Sequence, residues 1–197
     1  MRIETLLEAL WNDIAQDKSL RVFSIQDAAA SPRLHPNMVL SMTDHACLYE
    51  GRIPQALAEA APHIVRLAAA SAYTRWFLEE GWGNTWGILF HSKANLMDLR
   101  AHFQRLLIVK DEDGRKFNFR FYDPRVLRSY LPSCEPAELR AFFGPVLRFF
   151  VPAEKADELL EFSLDKGGLL KALRIPVHQA LAAKPSEPAR TLAKSES

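Results

Sequence analysis

The sequence predicts an α/β fold: a mixed β-sheet with helices packed on it, followed by a small C-terminal helical segment. Three observations carry this. Apolar residues recur at three- and four-residue spacing in some stretches, alternate with polar residues in others, and the two kinds of stretch interleave along the chain. With 197 residues, 48% of them hydrophobic, the chain has enough material for a full core. The expected organisation is an α/β domain over 1–151, a helical segment over 152–183 and a disordered tail over 184–197.

Ile3, Leu6, Leu7, Leu10, Trp11 and Ile14 share one helical stripe, with Glu4, Glu8 and Asp13 outside it. Arg21 to Ile25 reads as a strand, broken by the proline-containing run from Asp27 to Pro36. A second strand is expected over Ala46 to Glu50, a helix over Pro54 to Ala61 and a third strand over Pro62 to Leu67. Tyr73 to Glu80 is a helix stopped by Gly81, and Thr85 to Phe90 is β in character. Leu96, Leu99, Phe103, Leu106 and Leu107 mark a helix that runs into a strand at Ile108-Val109. The turn at Asp111-Glu112-Asp113-Gly114 then makes a hairpin. Lys116 to Tyr122 alternates, placing Phe117, Phe119 and Phe121 on one face. Asp123 caps a helix opened by Pro124. Pro136 to Phe143 is a helix and Val146 to Val151 a strand. Beyond Pro152, Ala153 to Leu164 and Leu169 to Leu181 are read as helices, the second interrupted at Pro176. Lys184 to Ser197 has few large apolar residues and is expected to be disordered.

Lys+Arg 25 against Asp+Glu 24 leaves a formal net charge of +1, so no sequence-wide field draws in nucleic acid or an anionic membrane, and neither is expected as a partner. Cys47 and Cys134 form neither a disulfide framework nor a metal or redox pair, which fits a reducing compartment. The N-terminus alternates charge with apolar residues where a signal peptide would have an apolar run, and no stretch approaches the roughly 18 apolar residues of a membrane span. A cytoplasmic protein that is not secreted is expected.

Phosphate-cradling GxxxxGK[ST], GxSxG, HExxH, an EF-hand loop and GxGxxG are all missing, which removes the commonest NTPase, hydrolase, zinc, calcium and dinucleotide sites. The histidines are scattered, and His45 with Cys47 supplies two ligands where zinc needs three or four, so no metal and no cofactor are expected. Arg115 to Tyr122 partly matches an RNA-recognition strand, but Lys116 and Asn118 stand where small residues should let bases approach. Arg120, Asp123 and Arg125 are the best polar constellation. They could hold a phosphate-bearing ligand; the alternative is that Asp123 caps the following helix while an arginine satisfies a nearby carboxylate. In the Gly81-Trp82-Gly83-Asn84-Thr85-Trp86-Gly87 cluster, Trp82 is the candidate surface anchor and Trp86 a core residue.

Five segments together carry a resemblance: Asp27-Ala28-Ala29 with Ser31-Pro32-Arg33-Leu34, Cys47 to Gly51, Ala61 to Leu67, Gly81 to Gly87, and Phe119 to Leu127. In this order, with Phe142-Phe143-Gly144-Pro145 after them, they resemble the bacterial type VI secretion effector adaptors, or effector chaperones, a family long catalogued as a domain of unknown function. The likeness spans Leu20 to Val151, and departs from the family pattern at Gln26 and the extra Ala30, which alter the exit of the first strand. It implies a non-enzymatic cytosolic protein that binds a cognate toxic effector and helps load it onto the valine-glycine-repeat spike protein. It supplies no catalytic residues.

The candidate partner-binding residues are Trp82, Arg120, Tyr122 and Arg125, joined by Leu159, Leu160, Phe162, Leu169, Leu170 and Leu173 on the expected C-terminal helices. Trp86, Asp123 and Pro124 are assigned structural roles. If this is right, deleting everything after Pro152 leaves a folded core that no longer binds cargo. The rival reading is a small-molecule-binding or enzymatic α/β domain that uses Arg120 and Asp123.

Overall fold

Residues 3–110, 113–154 and 157–177 are described by a computed structural model of the chain. The apolar stripe at the start forms α1 (Ile3–Gln16), which buries Ile3, Leu6 and Leu10. β1 (Arg21–Asp27) follows, and is buried from Val22 onward. Where a simple break was expected, a 3-10 turn (Ala28–Ala30) leads into α2 (Leu34–Leu40). Pro36 is tolerated there because the first turn of a helix has no use for its missing N–H. β2 (His45–Cys47) is shorter than expected: beyond Cys47, Leu48 N–H still donates to Pro62 O at 2.9 Å, and then the chain leaves the sheet.

α3 (Gln55–Ala60), β3 (Pro62–Leu67), α4 (Ala72–Gly81), β4 (Gly87–Ser92) and α5 (Leu96–Gln104) lie close to their expected positions. β5 (Ile108–Lys110) and β6 (Lys116–Asn118) make a separate two-stranded ribbon. The alternating run from Lys116 to Tyr122 is therefore only partly a strand. Phe117 is exposed on the ribbon while Phe121 is fully buried, because the chain turns between Arg120 and Asp123 and drops its aromatic residues into the core. α6 (Pro124–Tyr130), α7 (Pro136–Phe143) and β7 (Val146–Pro152) come next.

The C-terminal helical segment is corrected by the structure. Its residues form two strands, β8 (Glu158–Leu164) and β9 (Leu170–Pro176). β8 is buried on both faces, so its apolar residues run together and give no clean two-residue period. Leu160 and Phe162 point into one core and Leu159 into the other. These three side chains are core, not a contact surface; Leu169 and Leu173 are each 56% exposed, and Leu170 is half-buried. The expected disordered tail and the end of the second expected helix lie outside the described residues.

Among the described residues the main sheet has seven strands in the order β2-β3-β1-β4-β7-β8-β9, each pair antiparallel. The fold class is thus the α/β one expected, with helices on both faces. α5, α6 and α7 cover one face through Leu99, Phe103, Leu127, Leu139 and Phe142. α1, α2 and α4 cover the other through Leu6, Leu10, Met38 and Phe77. No described helix is long and apolar enough to cross a membrane.

Two glycines are demanded by close packing. A Cβ on Gly87 would lie 2.0 Å from Ile25 O across the β1–β4 pair, and one on Gly144 would lie 2.4 Å from the His102 ring. Around Gln26 the polar groups inside the second core are paired. Tyr73 Oη donates to Gln26 Oε1 at 2.6 Å, and Gln26 Nε2 donates to Ser24 Oγ at 2.8 Å. Gln26 therefore lies within β1, between His63 and Gly87, and the strand leaves the sheet one residue later.

Candidate functional site

The five segments that open the resemblance are scattered along the sequence, yet the antiparallel topology gathers them at one end of the sheet; Phe142-Phe143-Gly144-Pro145 lies at the other, where Ser92 Oγ donates to Pro145 O at 2.7 Å. At the end that gathers the five, β1 stops at Asp27, opposite the start of β3 at Pro62. Gly87 opens β4 opposite Gln26, and Cys47 closes β2 opposite His63. The Gly81–Gly87 loop and the turn before α6 sit over the same end: Asp27 N–H donates to Trp86 O at 2.8 Å, and the Asp27 carboxylate meets Arg120.

Asp27 is the hub. One carboxylate oxygen accepts the Ala29 N–H and caps the 3-10 turn, and the other accepts Arg120 Nη2 at 2.5 Å. The Asp27 side chain is 6% exposed and that of Arg120 57%, so the arginine closes a buried carboxylate from the solvent side. Burial works against the charge on the Arg120 guanidinium, but the Asp27 bond prevails and holds its pKa above the ordinary arginine value. The same guanidinium carbon lies 5.9 Å from the Tyr122 ring centre.

Tyr122 is only 5% exposed and belongs to the core, which removes it from the candidate contact surface. Burial, followed by the Asp27 charge, pushes its phenol up to about 12. Asp123 caps α6 by accepting the Arg125 N–H, and its two oxygens also accept Arg125 Nε at 3.0 Å and Nη2 at 2.7 Å. Burial raises the Asp123 pKa, but the Arg125 bonds outweigh it and hold the carboxyl below its usual range. Of the constellation read from the sequence, Asp123 and Arg125 thus pair with each other, while Arg120 turns away to Asp27. Pro124 occupies the first position of α6, and Trp86 is buried in the second core.

Trp82 ends α4, half-buried against the second core. The next residue, Gly83, lines a cleft of about 150 Å³ together with Thr85, Arg125, Arg128, Pro152 and Glu154. Sequence reasoning missed three of these. Arg128 donates to Pro152 O at 2.7 Å, and Glu154 is held by Arg174 at 3.1 Å. Thr85 has φ +56°, a left-handed backbone rare for a β-branched residue. The only signal for it is the glycine-rich loop around it.

Among the described residues no group of three or more His, Cys, Asp or Glu is placed to hold a metal ion. Cys134 Sγ donates to Tyr130 O at 3.3 Å, and burial raises its thiol pKa.

Fold and site together define a helix-flanked antiparallel α/β protein whose polar residues clamp one end of its sheet. The chain belongs to the family described as Domain of unknown function (DUF4123), whose model matches residues 22–141, more than half of the chain. No curated protein and no solved structure matches it.

Proposed function

We propose that this protein is a cytoplasmic type VI secretion effector adaptor. It binds a cognate toxic effector and helps load it onto the valine-glycine-repeat spike protein, with no catalysis of its own. The observation that carries the reading is the convergence of five resembling segments on one sheet end, where Asp27 holds Arg120, Asp123 holds Arg125, and Gly83 lines a cleft with Arg125. Membership in the DUF4123 family supports it.

The chemistry of that end favours contact over turnover. The carboxylates of Asp27 and Asp123 are both occupied by backbone caps and arginine partners, an arrangement that fixes shape. Half-buried Trp82 adjoins Gly83 of the cleft edged by Arg125 and Arg128, and together they offer the mixture of aromatic and arginine anchors on which protein interfaces concentrate their affinity.

The test is a pull-down from the native cytosol with the wild-type chain and a Trp82→Ala/Arg125→Ala variant as baits. Recovery of one effector with the spike protein by the wild type, and its loss with the variant, is the expected result. Recovery of neither from cells expressing the secretion machinery would overturn the adaptor reading and favour a small-molecule or enzymatic role for Arg120 and Asp123.

A further inference from the structure

The main sheet ends in two unequal edges. β2 closes one with three residues. β9 closes the other with seven, paired to β8 in an unbroken register from Leu164↔Leu170 to Glu158↔Pro176. A long, regular edge strand is a template for another strand, and sheets blunt such edges by shortness, bulges, proline or charge. β2 is blunted by its length. β9 is not bulged, Lys171 to Arg174 are all exposed, and the Arg174 charge is held by Glu154 and Glu158, each at 3.1 Å.

Backbone bonding shows which groups of β9 have no partner among the described residues. Val177 N–H donates to Asp157 O at 2.8 Å, and Asp165 N–H donates to Leu169 O at 2.9 Å. Hydrogen-bonded rungs alternate in an antiparallel pair, so the odd-numbered residues of β9 bond to β8 and the even-numbered ones turn outward. Leu170, Ala172 and Arg174 thus face away from β8 with both N–H and C=O. Pro176, which has no N–H, falls in the outward set, where β8 requires none.

Two copies of one edge strand pair antiparallel about a two-fold axis perpendicular to the sheet, which obliges odd residues to face odd and even to face even. Centring the axis on Lys171 or Arg174 opposes like charges. Centring it on Ala172 sets Arg174 against Leu170 and leaves one end of the strand unmatched. Centring it on Leu173 overlaps the whole of β9, pairs Leu173 with itself, and sets Arg174 against the small Ala172, leaving the guanidinium its two carboxylates. It also confines Pro176 to the outermost rung opposite Leu170, where the Leu170 N–H can donate to Pro176 O and only the return bond is missing.

We propose that β9 pairs with β9 of a second copy of this chain, with Leu173 on the two-fold axis, so that the two sheets become one. The outward groups of Ala172 and Arg174 then bond reciprocally across the axis. Leu173, 56% exposed in the single chain, becomes a non-hydrogen-bonded pair with Cα atoms about 4.5 Å apart. That spacing lies within the range a disulfide spans.

The experiment uses the full chain. Light scattering across a micromolar concentration series is expected to rise from 22.3 kDa to twice that mass. Leu173→Cys is expected to give a covalent dimer on mild oxidation, whereas Leu169→Cys, equally exposed but away from the axis, is not; the native Cys47 and Cys134 are common to both. Leu173→Lys should abolish the dimer without changing the thermal unfolding of the monomer. A monomer at every concentration overturns the proposal. If its β9 amides are protected from hydrogen exchange, residues 178–197 of the same chain cover the edge; if they become protected only when the effector is added, the edge takes a cargo strand. Cross-linking through Ala172→Cys instead of Leu173→Cys overturns the register. None of these outcomes depends on the adaptor reading, whose test is the pull-down.

Discussion

The guanidinium of Arg120 closes over the carboxylate of Asp27, 93 positions earlier in the chain, at 2.5 Å. The bond ties the end of β1, third of the seven strands, to the turn that opens α6, and so fixes two of the resembling segments relative to one another.

Removing the arginine leaves a carboxylate that is 6% exposed without its charged partner. Arg120→Ala is expected to destabilise the fold by about 1–3 kcal/mol, the cost of an unsatisfied buried group. Asp27→Asn in the same background should add less than it costs alone. Urea unfolding of the two single variants and the double variant measures this coupling, and strict additivity would show that the pair contributes nothing.

Stability is expected to fall on acidification before the carboxylates titrate. Burial pushes His63 and His91 down to about 4 from the ordinary 6.5, so both fold as neutral rings. In the unfolded chain they take up protons from pH 6.5 downward, and the folded state therefore loses stability between pH 6.5 and about 4. The loss is on the order of 2–3 kcal/mol for each ring. Denaturant midpoints at pH 7, 5.5 and 4.5 give the slope, and His91→Asn should flatten it.

Gly87 and Thr85 lie two residues apart and should respond in opposite directions. Gly87→Ala drives a Cβ to within 2.0 Å of Ile25 O in the middle of the sheet and is expected to cost more than about 3 kcal/mol, or to prevent soluble expression. Thr85→Gly relieves a left-handed β-branched backbone. That strain is about 1–3 kcal/mol, against about 0.5–1 kcal/mol for the added freedom of glycine in the unfolded chain, so a rise in melting temperature is expected.

Strand β8 makes the C-terminal region part of the core. Phe162→Ala is expected to cost about 3–5 kcal/mol, and Leu159→Ala about 2–5 kcal/mol. Leu173→Ser, at a site exposed in the single chain, should fall within about 0.5 kcal/mol of the wild type at concentrations low enough for both to be monomeric. Truncation after Pro152 should unfold the domain, the reverse of the sequence-based expectation, because it strips the partner strand from β7. Circular dichroism melts of the four variants distinguish these outcomes.

Elements with one buried face were legible in the sequence. α1 shows its stripe through Leu6 and Leu10, and α7 lies where its periodicity and Pro136 place it. β8 was not legible, since burial of both Leu159 and Leu160 erases the alternation that marks a strand. Within the site, Asp123 as a cap could be read from the Asp-Pro order. The partner of Arg120 could not, because the Asp27 contact is made by the packing of distant segments and leaves no local pattern.

α1 precedes every other described element of the chain, and the groups that hold it come after it. Glu4 pairs with Arg75, the Leu10 carbonyl accepts from buried His91 at 2.7 Å, and Asp13 pairs with Arg148. A nascent chain therefore carries the apolar stripe of Ile3, Leu6 and Leu10 out of the ribosome long before β7 exists to complete its seat. Completion of the sheet, rather than formation of the helix, sets the moment at which the new protein is safe from aggregation.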